Sequence, residues 1–131
     1  MSTSVAFGPP RGDSSENVSV VRSRIPGTFT LRGTLGEPEL AAQRLLDTAI
    51  APPGSGKQSR LIKAFGEVRG SSEVYQFEYV VTLKDGRRLH NACAIFDKDS
   101  VLYTLTVLCP EDDWDAKSDK LLQVAGSFRK V

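Results

Sequence analysis

Apolar and polar positions alternate most clearly from Val74 to Leu83. Tyr75, Phe77, Tyr79, Val81 and Leu83 fall on one face, and Gln76, Glu78 and Thr82 on the other. A period of two over that length predicts a half-buried strand. Leu61–Val68 carries the same period more weakly, and Val18–Ser23 is rich in β-branched residues, so both are predicted strands. Asp85-Gly86 separates the Val74–Leu83 run from a second apolar run, Leu89–Phe96, and predicts a hairpin with a type I′ turn. Asp97-Lys98-Asp99-Ser100 predicts another turn, after which Val101–Leu108 is almost continuously apolar, as expected of a central strand covered on both faces. Phe29-Thr30-Leu31 is a candidate short strand, and Val5-Ala6-Phe7 a strand remnant within a flexible segment, residues 1–16. Residues 17–131 form the expected domain.

Two stretches carry helical spacing instead. Gly36-Glu37-Pro38-Glu39 is a helix start, because proline pre-sets φ in the first turn and the carboxylates face the positive end of the helix dipole. Leu40, Ala41, Leu45, Leu46 and Ala49 follow as one apolar stripe, and Ala51-Pro52-Pro53-Gly54 ends it; the Gly/Ser/Lys stretch to Ser59 is expected as a surface loop. Near the other end, Pro110 stops the last strand and Glu111-Asp112-Asp113 supplies a cap and an acidic first turn. Trp114, Leu121, Leu122, Ala125 and Phe128 then define the buried side of a C-terminal helix, with Arg129 and Lys130 at its negative end. Strands with two amphipathic helices predict an α+β layered domain, a central antiparallel sheet with helical cover.

Composition narrows the function classes. With 131 residues the chain fits one domain, and 17 basic against 16 acidic residues leave a formal charge of +1, without the basic excess of a nucleic-acid binder. No apolar run reaches the roughly 18–20 residues that cross a bilayer, so direct membrane insertion is not expected. Met1 precedes a Ser-rich stretch with neither an apolar signal region nor an Arg-rich amphipathic one, so a targeting peptide, if there is one, is expected to be absent from this sequence.

Few motifs survive their simplest explanation. Gly54-Ser55-Gly56-Lys57 lacks the earlier glycine of a phosphate loop, Ala51 standing there, and has Gln58 where a magnesium-binding Ser or Thr belongs. Arg11-Gly12-Asp13 and the sequon Asn17-Val18-Ser19 are short enough to arise by chance, and the sequon runs into a strand. Asp97-Lys98-Asp99-Ser100 lacks calcium-loop spacing and reads as a solvated turn.

His90 is the only histidine, so any catalytic triad must pass through it, and no nucleophile elbow accompanies it. The simplest reading is a hydrogen-bonded strand histidine. If the last hairpin turns near Asp99, His90 pairs with about Leu108, at the sheet end from which Glu111 and Asp112 emerge. An imidazole and one or two carboxylates would hold a divalent ion loosely. In the same register Cys93 faces about Leu105, so Cys109 is roughly 13 Å along the strand, beyond disulfide reach. Two free, buried thiols are expected. Trp114, at the head of its helix, is expected as a lid on the sheet edge.

Three stretches together resemble the PsbP family, the extrinsic lumenal proteins of photosystem II and their relatives. Asn17-Val18-Ser19-Val20-Val21 is similar to that family's first core strand. Gly36-Glu37-Pro38-Glu39, followed by Arg44-Leu45-Leu46, resembles its Gly-Ser-Pro-Glu helix start, with Glu37 in place of serine. Leu102-Tyr103-Thr104-Leu105, then Pro110-Glu111-Asp112-Asp113-Trp114 and Ala125-Gly126-Ser127-Phe128, resemble its last strand, its Pro-Glu-x-x-Trp junction and its terminal helix.

The resemblance implies an α/β/α sandwich with no catalytic residues and no tightly bound cofactor. It implies a monomer in the chloroplast thylakoid lumen, docked on a photosynthetic membrane complex (photosystem II with its oxygen-evolving complex, or a related one). It carries the family's metal-linked pair loosely onto His90 and Glu111, as a weak calcium, zinc or manganese site. Two rivals follow from other classes: a nuclear Ran-binding regulator of the same fold, and a hydrolase using His90.

Overall fold

The computed structural model describes residues 2–7, by their backbone, and 17–128. Six antiparallel strands are built from the alternating runs: β1 Ser2–Phe7, β2 Asn17–Arg24, β3 Gln58–Arg69, β4 Ser72–Thr82, β5 Arg88–Lys98 and β6 Val101–Pro110, in the spatial order β1-β2-β6-β5-β4-β3. The expected strand remnant is thus a full edge strand, Ser2 to Phe7 pairing with Ser23 to Val18. Gln58 and Ser59, read as loop, already pair with Thr82 and Val81. The motif Arg11–Asp13 and the residues Arg129 and Lys130 lie outside the described residues.

The type I′ turn expected at Asp85-Gly86 does not form there. At Asp85-Gly86 only Gly86 has positive φ (+90°); its N–H donates to the Leu83 carbonyl (2.9 Å) and the Leu83 N–H to that of Arg87 (2.8 Å). This is a three-residue loop closing on a left-handed glycine. The Asp85 carboxylate braces this loop, accepting from the backbone N–H (3.0 Å) and Nε (2.8 Å) of Arg87. The type I′ signature, positive φ at both central residues, belongs instead to Asp99 (52°) and Ser100 (61°). A two-residue turn there sets the β5–β6 register at His90↔Cys109 and Cys93↔Thr106, one residue from the expected pairing.

Helix α1, Pro38–Leu45, starts with proline as read, but runs into a π-helical turn at Leu46–Ile50. The wider turn moves the last inward position from Ala49 to Ile50. Ala41, Ala42 and Leu46 are buried with Ile50 against them, whereas Leu40 and Ala49 are exposed. A second π-helical turn, Leu31–Leu35, replaces the expected strand at Phe29–Leu31. Thr30 closes it, accepting from the Gly33 N–H (2.9 Å), so the segment coils under its own local hydrogen bonds. Beyond β6, Glu111–Asp113 forms a 3₁₀ turn without a side-chain cap, and helix α2 spans Trp114–Ser127.

The two helices lie on opposite faces of the sheet. On one, Leu31, Ala41, Ala42 and Leu46 pack on Tyr75, Phe77, Tyr79, Val81, Cys93 and Ile95. On the other, Leu121 and Ala125 of α2 pack on Ala92, Val107 and Cys109, and Phe128 tilts against Phe96 at 4.9 Å. The α/β/α sandwich is therefore the observed architecture. Double cover makes β4 and β5 the most buried strands, a role expected of β6, whose residues are mostly half-buried. Cys93 and Cys109 are free, as expected, and the register adds a stronger reason than distance: they point to opposite faces of the sheet.

Candidate functional site

The β5–β6 register places His90 directly opposite Cys109, on the α2 face. From Cys109 the chain runs through Pro110 into the 3₁₀ turn, whose three-residue period stacks Glu111 and Trp114 on one side. Both return over His90. Glu111 Oε2 lies 2.6 Å from His90 Nδ1, and the Trp114 indole stacks on the imidazole with centroids 3.6 Å apart and planes 12° from parallel. From the other side comes Glu78, diagonal to His90 across the β4–β5 ladder, with Oε2 2.8 Å from Nε2.

His90 is thus 3% exposed, held edge-on by two carboxylates and face-on by an indole. Both contacts are hydrogen bonds only with a proton on each side. Either the ring is the two-donor imidazolium, or one carboxyl carries the second proton. This explains why a chain with a buried histidine has no unpartnered buried side-chain nitrogen or oxygen among its described residues.

The expected pair, His90 and Glu111, is therefore brought together, but in the geometry of a hydrogen bond. A divalent ion bonded at about 2.0–2.2 Å to both atoms would hold them roughly 3.3 Å apart. At 2.6 and 2.8 Å neither nitrogen leaves room for one. No group of three or more His, Cys, Asp or Glu side chains arranged to hold a metal occurs among the described residues, and Asp112 is exposed. The residues as placed do not fit a resident metal.

Sequence reasoning missed Glu78. Its signal was the hairpin centre at Asp85, which puts Val80 opposite His90 and Glu78 one diagonal away. It also missed Arg69 (7% exposed), whose guanidinium donates to Gln76 Oε1 (2.5 Å), Glu67 Oε1 (2.6 Å) and the carbonyls of Ala125 (2.8 Å) and Phe128 (2.9 Å). Nothing in the local pattern of β3 marks that arginine as buried.

Two further buried groups are held in their neutral forms. Burial pushes the Cys93 thiol up to about 12 and the Tyr79 phenol far above its ordinary range. Two recesses of about 360 and 320 Å³ lie at opposite ends of the sheet, one lined by Arg87, Arg88, Glu111 and Asp112, the other by Arg32, Glu73 and Asp97. Their charged linings differ from the mostly apolar walls of small-molecule sites.

The fold defines the class of protein: an α/β/α sandwich like the solution structure of cyanobacterial PsbP (CyanoP) from Synechocystis sp. PCC 6803. That likeness has a TM-score of 0.76 at 24% identity, covering 98% of this chain and 82% of the other. A Pseudomonas aeruginosa protein of unknown function, PA94, described as a putative regulator, shares the fold with a TM-score of 0.66 at 15% identity, over 100% of this chain and 85% of that one. Sequence then fixes the family, since residues 5–130 match PsbP; the chain belongs to the PsbP family. CyanoP of Thermosynechococcus vestitus is 38% identical over 120 residues, 88% of this chain and 65% of that protein. PsbP domain-containing protein 7, chloroplastic, of Arabidopsis thaliana is 31% identical over 133 residues, 97% of this chain and 46% of that protein. The chain thus spans about two thirds and about half of these two relatives.

Proposed function

We propose that this chain is a non-enzymatic docking domain that assists assembly or stability of a photosynthetic membrane complex from the lumenal side of the thylakoid. The carrying observation is the state of its one histidine. Both ring nitrogens and one ring face are occupied by Glu78, Glu111 and Trp114, so the one histidine is not free to act as a general base in this family-matched sandwich. The contacts of Glu111 and Trp114 with His90 pin the start of α2 to the sheet, and that of Glu78 ties β4 to β5, supporting a fixed surface suited to recognition. Family membership and the chloroplastic relative support the photosynthetic setting. The partner is a thylakoid complex, photosystem II being the first candidate.

The test is affinity capture with the tagged chain from detergent-solubilised thylakoids. Retention of a pigment-containing photosystem complex, identified by its absorption spectrum and its subunits, is the expected result. A chain that retains no pigment–protein complex above an untagged control, under conditions in which a known lumenal subunit does, would overturn the reading.

A further inference from the structure

Three large hydrophobic side chains are exposed among the described residues, and two of them, Ile62 (41%) and Val68 (72%), lie on β3. Among the described residues β3 is a sheet edge, twelve residues long and hydrogen-bonded to β4 on one side only. Such edges are ordinarily kept short, bulged or charged to prevent pairing. β3 is bulged, but only at Ile62, between Leu61 and Lys63; from Lys63 to Arg69 it pairs with β4 without a break.

We propose that this edge pairs antiparallel with the same edge of a second copy of the chain. The two-fold axis passes through Phe65, perpendicular to the sheet, joining the two sheets into one. The argument is register. With Phe65 opposite itself, Lys63 falls opposite Glu67 of the second copy, twice by symmetry, and Val68 opposite Ile62. The two exposed apolar side chains of this edge then cover each other, and two exposed charges meet opposite ones.

The axis keeps like faces together, so the neighbouring registers are two residues away in sum. One sets Lys63 against Arg69, like charges opposite, and the other sets Val68 against Arg60. Both waste what the first arrangement uses. Lys63 is poised for the first: Nζ lies 5.0 Å from the Phe65 ring centroid, leaning along the strand toward the axis. Glu67 gives Oε1 to Arg69, and its side chain is 46% exposed, leaving the other oxygen for the incoming lysine. The contact is short, below the roughly 1,200 Å² of stable interfaces, so the dimer belongs to the transient class. It replaces the monomer expected from sequence and is independent of what the chain docks on.

Sedimentation velocity on the intact chain over a concentration series up to the order of 1 mM, the range for a transient contact, tests this. The expected result is a reversible monomer–dimer equilibrium. Lys63→Glu and Glu67→Lys each weaken it about tenfold through two symmetric repulsions, and the double reversal restores it. Because Glu67 also supports Arg69, Val68→Lys serves as a second disrupting variant that leaves that ion pair intact. Phe65→Cys cross-links to itself under mild oxidation. A chain that sediments as a monomer throughout, or single reversals without effect, or a double reversal that restores nothing, would each overturn the proposal.

Discussion

Replacing Arg69 by methionine removes the fork that ties the end of α2 to the β3–β4 hairpin. Four hydrogen bonds go with it: one to Gln76, one to Glu67, and two to the carbonyls of Ala125 and Phe128. The methionine stem retains most of the apolar packing, so the loss is mainly polar. Each hydrogen bond from a charged donor contributes about 1.5–3 kcal/mol, but the four share one side chain and do not add. The worst consequence is a set of acceptors left dry, Gln76 Oε1 and the Ala125 carbonyl among them. Each acceptor left dry costs about 1–3 kcal/mol, so the loss comes to about 3–5 kcal/mol in all. Against the ~5–15 kcal/mol of a typical domain that is a large fraction, and corresponds to a fall in Tm of roughly 10–15 °C. Urea and thermal unfolding of the wild type, Arg69→Met and Arg69→Lys measure it, with amide exchange reporting where the structure opens. Lysine keeps the charge but not the planar fork, so it should recover part of the loss. Exchange should quicken first at the C-terminal turn of α2. A loss below about 1 kcal/mol in the methionine variant, or uniform exchange across the sheet, would refute the reasoning.

His90→Ala leaves Glu78 and Glu111 facing each other across a small void, and should cost about 2–3 kcal/mol in urea unfolding, with His90→Gln milder because the amide keeps one donor. Tyr75→Phe deletes the hydroxyl that donates to the Gly36 carbonyl at 2.8 Å, an expected loss of about 1 kcal/mol by the same measurement. The Cys93 thiol, raised by burial from 9.0 to about 12, should resist aromatic disulfide reagents in the native state. Because the unfolded chain ionises first, its contribution to stability is complete below pH 9 and fades between pH 9 and about 12, which alkaline melts of wild type and Cys93→Ala would resolve. At the acid end, the Asp85 carboxyl is held below its ordinary value by the Arg87 N–H and guanidinium, so its carbon resonance should titrate below 3.8, and the hairpin contacts it makes should persist until that lower pH.

Most of the fold could be read from periodicity. The Val74–Leu83 alternation, the proline-led α1 and the tryptophan-headed α2 all form the elements the pattern predicts, although β4, expected to be half-buried, is covered on both faces by the two helical layers. What escaped the sequence depends on long-range context. Both glycine-bearing and aspartate-bearing turns satisfy several loop types, and the choice at Asp85 and Asp99 was settled by how many residues each strand pairs. Ile50 takes the inward place expected of Ala49 because the turn that follows α1 is wider than 3.6 residues, a deformation no propensity records. In the candidate site, His90 and Glu111 were visible as neighbours at one sheet end, one residue out of register. Glu78 was not, since its alignment with His90 follows only once the loop at Asp85 is known, and Arg69 was not, since two of its four acceptors are carbonyls at the end of α2, far away in sequence.

The stacked Trp114 gives the molecule its own optical probe. The chain has one tryptophan, so all indole emission arises from the junction where β6 hands over to α2. An imidazole 3.6 Å away is a contact quencher, so the folded protein should be dim and should brighten as that joint loosens. Binding of a partner near this end of the sheet, or release of the helix alone, would register in fluorescence without any label.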